Sequence, residues 1–410
     1  MTEAAGPAAP RLRVFDALRH RDFRLFWTGQ VVSLVGDGAF LTALGWRAFT
    51  LAGAGSLGII LSAQALALLT TLLLGGALGD RIPRRTMLIA SDLFRFGAVA
   101  ALAAADASGH LSYGLLLALA VLVGLGDGFF YPAFGGLVPL VVEPASISSA
   151  NALIGVARWG SLMIGPALAA GIYGAADSAT VFAVDAVSFL VSAALLYPAR
   201  PRLVEAAAAE GTFREIGAGI RYVTRIPWLW VTIVLFALVL MLQLAPQQVL
   251  LPKLVAQHFH RGVAAYGFLT AAFGVGTVLG ALSFGQFHPR RRRGVISYWI
   301  WVVNSAIVVG FALSPWYELA VVLGVLRGFL VGYGVAIWET MLMELVPEHL
   351  LSRVVSLDYF GSYGLMPAGL AVSAGVAGLA APGTIIAAGA LISVALFLAM
   401  LTRPWLREVD

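Results

Sequence analysis

Twelve long apolar segments divide this chain, and they limit its fold more than any other feature. A helix that crosses a bilayer needs about 20 mostly apolar residues. A window of that length finds segments near 23–50, 55–79, 86–106, 112–138, 148–175, 179–198, 228–251, 264–286, 294–314, 317–343, 354–379 and 382–403. Because lipid offers no partners to backbone polar groups, each segment must satisfy its own hydrogen bonds. The sequence therefore predicts an all-α membrane protein.

Composition agrees with this prediction and removes several classes of function. Only 11% of the residues are charged and 60% are hydrophobic, whereas a soluble domain carries about 25% charged residues. The chain has no cysteine, which excludes disulfides and thiol catalysis. No phosphate-cradling loop and no nucleophile–base arrangement stands out. We therefore expect no enzyme activity, no cofactor and no nucleic-acid partner.

Lysine and arginine are distributed unevenly among the loops. If the N-terminus is cytoplasmic, 20 of the 26 basic residues lie on the cytoplasmic side, and only Lys253 and Arg261 lie in outer loops. Basic residues concentrate in cytoplasmic loops of membrane proteins. This bias predicts an even number of spans, with both termini in the cytoplasm and the protein in the cell (inner) membrane.

The chain also contains an internal repeat. "GDRIPRR" at 79–85 and "GQFHPRR" at 285–291 follow apolar spans 206 positions apart. The repeat predicts two six-helix bundles, 23–198 and 228–403, a duplication typical of transporters. Between them, 199–227 is predicted to be a cytoplasmic linker with an interfacial helix, because apolar residues recur at helical spacing from Phe213 to Arg225. Residues 1–22 and 404–410 are predicted cytoplasmic ends.

Two motifs resemble those of the major facilitator superfamily. "GALGDRIPRR" (76–85) is similar to its signature between helices two and three, although Pro83 stands where a glycine is usual. "GSLMIGPALAAGI" (160–172) resembles its fifth-helix antiporter motif. Together with other segments they are similar to the twelve-helix drug and siderophore exporter branch, which includes macrolide efflux pumps and the enterobactin exporter. The residues that match the two motifs are Gly76, Asp80, Arg81, Arg84, Arg85, Gly160, Gly165 and Pro166.

The resemblance implies two pseudo-symmetric bundles that work by alternating access, mostly as monomers. It also implies that Asp80 faces the start of helix eleven, where a carboxylate is stabilised by the helix dipole, and so acts as a cytoplasmic gate. The alternative is that Asp80 caps its turn and pairs with a nearby arginine. Asp92 and Arg95, three residues apart, are predicted to pair with each other or with the basic turn. With Asp80, the predicted cytoplasmic gating residues are Gly76, Arg81, Arg84, Arg85, Asp92 and Arg95. Gly165-Pro166 is either a seal against ion leak or an ordinary kink.

Charged residues within spans are costly in lipid unless they are paired or hydrated, and are therefore functional candidates. Asp37, Asp127 and Glu339 fall on spans one, four and ten, which line the cavity in this superfamily. We expect them to couple protons or contact substrate; for Asp37 the alternative is a structural pair with an arginine of another helix. Arg327 is expected to neutralise one of these carboxylates, with a headgroup-facing or purely structural role as the alternative. Arg158 is expected to partner a carboxylate on a neighbouring helix.

Polar, uncharged residues within spans are candidates for the substrate cavity, with hydrogen bonding to a neighbouring helix as the alternative. They are Gln64, Gln243, Gln247, Tyr333 and Trp338. We expect no metal site, because His258 and His260 lie in an outer loop without an acidic partner.

The leading functional hypothesis is proton-driven export of amphipathic small molecules or drugs. A narrower alternative is a dedicated exporter of one metabolite, such as a siderophore. An alternative from another class is a scaffold or sensor that has lost transport, and the retained carboxylates argue against it.

Overall fold

The computed structural model describes residues 15–79, 82–202, 212–287, 289 and 291–407. Every regular element in these ranges is helical. The α-helices are α1 Arg21–Ala52, α2 Ser56–Gly79, α3 Arg84–Ala107, α4 Tyr113–Val141, α5 Ile147–Ala175, α6 Ser178–Leu196, α7 Thr212–Arg225, α8 Pro227–Val239, α9 Ala245–Lys253, α10 Val263–Gln286, α11 Arg293–Ala312, α12 Tyr317–Leu345, α13 Glu348–Tyr363, α14 Met366–Val376 and α15 Pro382–Leu401.

The all-α prediction is confirmed, and twelve spans account for every α-helix in the described ranges except α7. Nine helices in the described ranges meet a length and hydropathy criterion for crossing a membrane. One of them runs from α8 through α9 as Pro227–His258, with π-helical turns at Leu240–Leu244 and Leu254–His258. The other three spans are α1, α2 and the pair α13–α14. The eleventh span is thus broken into two helices rather than continuous over 354–379.

Close helix crossings within the second half depend on glycine. Gly276 and Gly280 of α10 face α12, whose Gly328 and Gly332 face back. A Cβ atom on Gly276 would lie 2.0 Å from the Val325 carbonyl oxygen, and one on Gly332 would lie equally close to a carbonyl of α10. Small residues spaced by four let helix backbones approach in lipid, where apolar burial gives no drive for association.

The two halves contact each other through α2 with α14 and through α5 with α10. Near the start of α2, Gly58 lies close enough to the Leu370 carbonyl that a Cβ would be 2.6 Å away. Ser62 donates a hydrogen bond of 2.9 Å to the Pro367 carbonyl. Trp46 stacks on Tyr266, with ring centroids 6.1 Å apart. These contacts close the space between the halves at the end opposite the basic turns.

The linker helix and the outer loops position the ends of the spans. α7 lies against the second half, where the Tyr222 hydroxyl reaches the Leu345 carbonyl at 3.5 Å. At the other end of the bundle, Asp177 caps α6. The backbone N–H and hydroxyl of Thr180 donate to its carboxylate and hold the pKa of Asp177 below its ordinary value.

Candidate functional site

A buried ion cluster in the first half is centred on Arg95 of α3. Its guanidinium bonds Asp92, one helical turn earlier, and Asp127 of α4 at 3.0 Å. The side chains of Arg95 and Asp92 are 3% and 0% exposed. The guanidinium also lies over the rings of Phe130 and Phe189, at 4.2 and 4.3 Å from their centroids. The predicted pairing of Asp92 with Arg95 is confirmed, and it extends to Asp127 rather than to the basic turn.

Two more aspartates lie within electrostatic range of this cluster. Asp37 of α1 is half-buried and interacts with Arg95 and Asp127. Asp185 of α6 is fully buried, and its carboxylate packs against α1 at Gly36. One Asp185 oxygen accepts from Ser188 at 3.3 Å, and the other has no hydrogen-bond partner in the described ranges. Arg95 thus bonds two carboxylates, and two further carboxyl groups, those of Asp37 and Asp185, lie within electrostatic range of it.

Gln64 of α2 borders the same cluster. Its backbone lies against Gly124 of α4, where a Cβ atom would be 2.4 Å from the Gln64 carbonyl oxygen. Its side chain interacts with the carboxylate of Asp127. Among the predicted cavity residues, Gln64 is therefore placed beside the predicted coupling residues.

A surface of tyrosines and one arginine connects the two halves. Arg158 of α5 donates to the Tyr359 hydroxyl of α13 at 3.3 Å, and its guanidinium lies 5.9 Å from the Tyr359 ring centroid. Tyr363 stacks on Tyr359 with an interplanar angle of 13°. Tyr131 of α4 lies within electrostatic range of Arg158 on one side and of Asp37 on the other. We call Arg158, Tyr131, Tyr359 and Tyr363 the bridging surface.

Sequence reasoning missed the three tyrosines of the bridging surface. Each is more than 40% exposed, although each belongs to a membrane helix. Tyrosine is common in spans and at membrane surfaces, so its identity alone gives no signal. Spacing offers one signal, because Tyr359 and Tyr363 are four residues apart and therefore share a helix face.

Glu339 borders the bridging surface from α12. Its side chain is exposed and lies within electrostatic range of Arg158 and Asp358, but it forms no ion pair within the described part of the chain. Asp358 accepts a hydrogen bond of 3.0 Å from the indole N–H of Trp338. Glu339 is therefore separate from Asp37 and Asp127, which lie in the first half.

One predicted arginine partnership is wrong, and another is met only at longer range. Arg327 makes no ion pair in the described ranges; its guanidinium lies 4.5 Å from the centroid of Phe273 and 5.9 Å from that of Phe311. Its Nε has no hydrogen-bond partner there. Arg158 donates its hydrogen bond to the Tyr359 hydroxyl, and its interaction with the Glu339 carboxylate of α12 is electrostatic, without an ion pair in the described ranges. Helix rotation decides which residues meet, and α12 turns Arg327 toward aromatic side chains.

Three predicted cavity residues are either buried or hydrogen-bonded to backbone carbonyl groups. Gln243 and Gln247 are 5% and 4% exposed, and the Gln247 amide donates to the Gln243 carbonyl at 2.8 Å. The Tyr333 hydroxyl donates to the Phe287 carbonyl just after α10. The alternative of hydrogen bonding to a neighbouring helix describes Tyr333 only. Gln247 bonds its own span, and the Gln243 Oε1 has no hydrogen-bond partner in the described ranges.

The first basic turn is described only in part. Asp80 and Arg81 lie outside the described residues, as do the surroundings of Gly76. Arg84 donates to the Gly136 carbonyl in the last turns of α4, and Arg85 donates to the Leu196 and Tyr197 carbonyls at the end of α6. Cations are favoured at helix C-termini, so both arginines fasten helix ends on this face.

The antiporter-like motif of α5 lies at two helix contacts. A Cβ atom on Gly165 would be 2.7 Å from the Cα atom of Gly38 in α1. The Pro166 carbonyl faces Gly267 of α10, in the other half. Gly160 has no atom within 4 Å of where its Cβ would lie. Gly165 therefore brings α5 close to α1 of its own half, and Pro166 brings it close to α10 of the other half. Gly160 makes no such contact.

Two helical halves that enclose buried charges and meet through a polar surface define a membrane transporter. A family model described as transmembrane secretion effector, within the major facilitator superfamily, matches residues 13–410. The chain belongs to this family.

Sequence and structural relatives agree with this assignment. The enterobactin exporter EntS of Escherichia coli O139:H28 is 30% identical over 307 residues, which cover 71% of this chain and 69% of that protein; the same figures hold for Shigella boydii serotype 18. A bacterial homologue of the iron transporter ferroportin superposes with a TM-score of 0.70 at 16% identity, covering 93% of this chain and 99% of that chain. The xylose transporter XylE from E. coli gives 0.66 at 12% identity, covering 93% and 96%.

Proposed function

We propose that this transporter exports amphipathic small molecules in exchange for protons. The observation that carries the proposal is the Arg95 cluster, in which one cation bonds two carboxylates and two further carboxyl groups lie within electrostatic range. An ionised group without a partner is costly inside a membrane. Proton uptake removes that cost and proton release restores it, so the cluster can alternate between two charge states. Asp37 is the member best suited to exchange protons, because it is half-buried and forms no direct ion pair among the described residues.

The bridging surface is the proposed substrate contact. Its tyrosines offer flat apolar faces with polar tips, which suit an amphipathic ligand. Arg158 and the exposed carboxylate of Glu339 supply one charge of each sign. Because Tyr131 lies between Arg158 and Asp37, a substrate there lies close to the proton-binding cluster. This proximity supports coupling between proton binding and substrate release.

Gating on the cytoplasmic side is proposed to depend on Asp80. The second copy of the turn has Gln286 at the matching position, so only the first copy carries a carboxylate that can hold a helix N-terminus. We expect Asp80→Ala to weaken transport by favouring the inward-open state, and Gln286→Ala to have little effect. Equal defects in transport assays of the two variants would contradict an asymmetric latch.

The proposal is tested by transport in liposomes with an imposed pH gradient. Purified protein is reconstituted, and gradient-dependent movement of a panel of lipophilic fluorescent drugs is measured. Asp37→Asn should abolish the dependence on the gradient while leaving the protein folded. Asp177→Asn is the matched control, because this aspartate caps α6 outside the spans. If no compound responds to the gradient, or Asp37→Asn behaves as wild type, proton-driven export by this cluster is wrong.

The 30% sequence identity to EntS supports a second candidate function, export of a single metabolite such as a siderophore. Growth of cells that produce the protein distinguishes the two. A broad exporter protects against several unrelated toxic compounds, whereas a dedicated exporter protects against none of them and instead raises secretion of one compound.

A further inference from the structure

An arginine-lined cavity lies at the basic end of the first half. Its volume is about 300 Å³, and it is lined by Arg21, Arg85, Tyr197, Pro198, Ala199 and Arg200. The lining comes from three places: the start of α1, the start of α3, and the segment that follows α6. Apart from Arg85, which belongs to the predicted gating turn, no residue that lines the cavity has a role in the proposed transport cycle.

The cavity holds more positive than negative charge. Arg85 is fixed by its bonds to the Leu196 and Tyr197 carbonyls and lies 5.3 Å from the Tyr197 ring centroid. Arg21 and Arg200 are exposed and form no ion pair in the described ranges. The nearby carboxylate is Asp22, which accepts from the backbone N–H of Arg200 at 3.2 Å. Three guanidinium groups around one opening are expected to attract an anion.

The position of the cavity indicates which anion. Tyr197 directly follows the last residue of α6 and is 70% exposed, and tyrosine at the end of a span marks the membrane–water interface. The distribution of arginines predicts that this end faces the cytoplasm. Basic pockets between helices at this level recognise anionic lipid headgroups, and guanidinium groups bind phosphate oxygens with two donors.

We propose that this cavity binds the phosphodiester headgroup of an anionic phospholipid from the cytoplasmic leaflet. The phosphate is held by Arg21, Arg85 and Arg200, and the exposed side of Tyr197 and Pro198 flanks the glycerol and the first acyl carbons. The lipid thereby connects the ends of α1, α3 and α6. The site is independent of the transported substrate.

The test measures lipid binding to the full-length protein in detergent by native mass spectrometry and by thermal unfolding. The probes are phosphatidylglycerol, phosphatidylcholine of the same chain length, and inorganic phosphate. The wild-type protein should bind phosphatidylglycerol in preference to phosphatidylcholine. Its unfolding temperature should be higher when phosphatidylglycerol is present. The other two probes should have little effect.

Variants locate the site. A cation at a membrane surface contributes about 1 kcal/mol toward an anionic lipid, so each lost arginine should weaken binding about fivefold. Arg21→Gln and Arg200→Gln are measured singly and together, and Arg85 is left intact because it fastens α6. Arg221→Gln with Arg225→Gln is the control, since both lie on α7, outside the cavity.

Three outcomes would overturn the proposal. In the first, the cavity variants and the α7 variants weaken binding equally, which indicates a general surface charge effect. In the second, inorganic phosphate stabilises the protein as well as the lipid does, which indicates a soluble anion site. In the third, phosphatidylcholine binds as tightly as phosphatidylglycerol, so the headgroup charge is not recognised.

Discussion

Replacing Arg95 with methionine tests whether one cation stabilises the buried cluster. The substitution keeps a long apolar side chain but removes the charge that bonds Asp92 and Asp127. Asp92 is then fully buried without a cation, and Asp127 remains 16% exposed. Removing one partner of a buried ion pair costs about 3–5 kcal/mol, because it leaves an uncompensated charge. We expect the free energy of unfolding to fall by this amount and transport to be lost.

Arg327→Met is the matched control in the other half. This arginine lies in a span but has aromatic neighbours and no ion pair in the described ranges. Its removal leaves no carboxylate unpaired and eliminates a desolvated charge, so stability should stay unchanged or rise. The two variants are compared by thermal unfolding of detergent-solubilised protein, followed by size-exclusion chromatography to count folded material.

A rescue experiment completes the comparison. Adding Asp92→Asn and Asp127→Asn to Arg95→Met removes the unpaired charges and should recover most of the lost stability. If Arg95→Met unfolds at the wild-type temperature, or if Arg327→Met loses as much stability as Arg95→Met does, the cluster does not depend on Arg95 in the way its contacts indicate.

Two further predictions concern helix packing and the bridging surface. Gly276→Ala should destabilise the protein by about 1–3 kcal/mol, because its methyl group would meet a carbonyl of α12 at 2.0 Å; Gly285→Ala, which meets no atom within 4 Å, should be neutral in the same unfolding assay. Tyr359→Phe removes the hydrogen bond from Arg158 to the Tyr359 hydroxyl and leaves the Arg158 guanidinium free to move. Because the loss of one hydrogen bond costs about 1 kcal/mol, the apparent substrate affinity should weaken about fivefold. Tyr363→Phe, whose hydroxyl forms no hydrogen bond in the described ranges, should change affinity less, and equal effects in transport titrations would contradict the role of the Tyr359 hydroxyl.

The helices could be predicted from the sequence because the bilayer imposes a simple rule on length and hydropathy. The interfacial helix was predicted from Phe213 to Arg225 and is observed at Thr212–Arg225. The break between α13 and α14 was missed. The sequence does carry a signal for it, because Gly364 follows α13 and Pro367 stands in the first turn of α14, and both residue types favour the end of a helix.

The candidate site could be predicted only as a set of charges. Asp37 and Asp127 were identified because charge in a span is costly, and that argument needs no structure. The choice of Arg327 as their neutralising partner failed, whereas Arg95 holds that position. Sequence gives the depth of a side chain along its own helix but not the direction in which the helix turns it, and direction decides ion pairs.

The internal repeat shows how the two halves have come to differ. The shift of 206 residues that relates the basic turns places Trp301 opposite Arg95 and Gln243 opposite Asp37. Arg95 lies over the ring of Phe189 in α6, and Trp301 stacks with Phe397 in α15 at 6.5 Å. A phenylalanine ring thus packs against the guanidinium of Arg95 in the first half and against the indole of Trp301 in the second half. Neither of these counterparts in the second half carries charge, so the proton exchange that we propose would depend, at this level, on the first half alone.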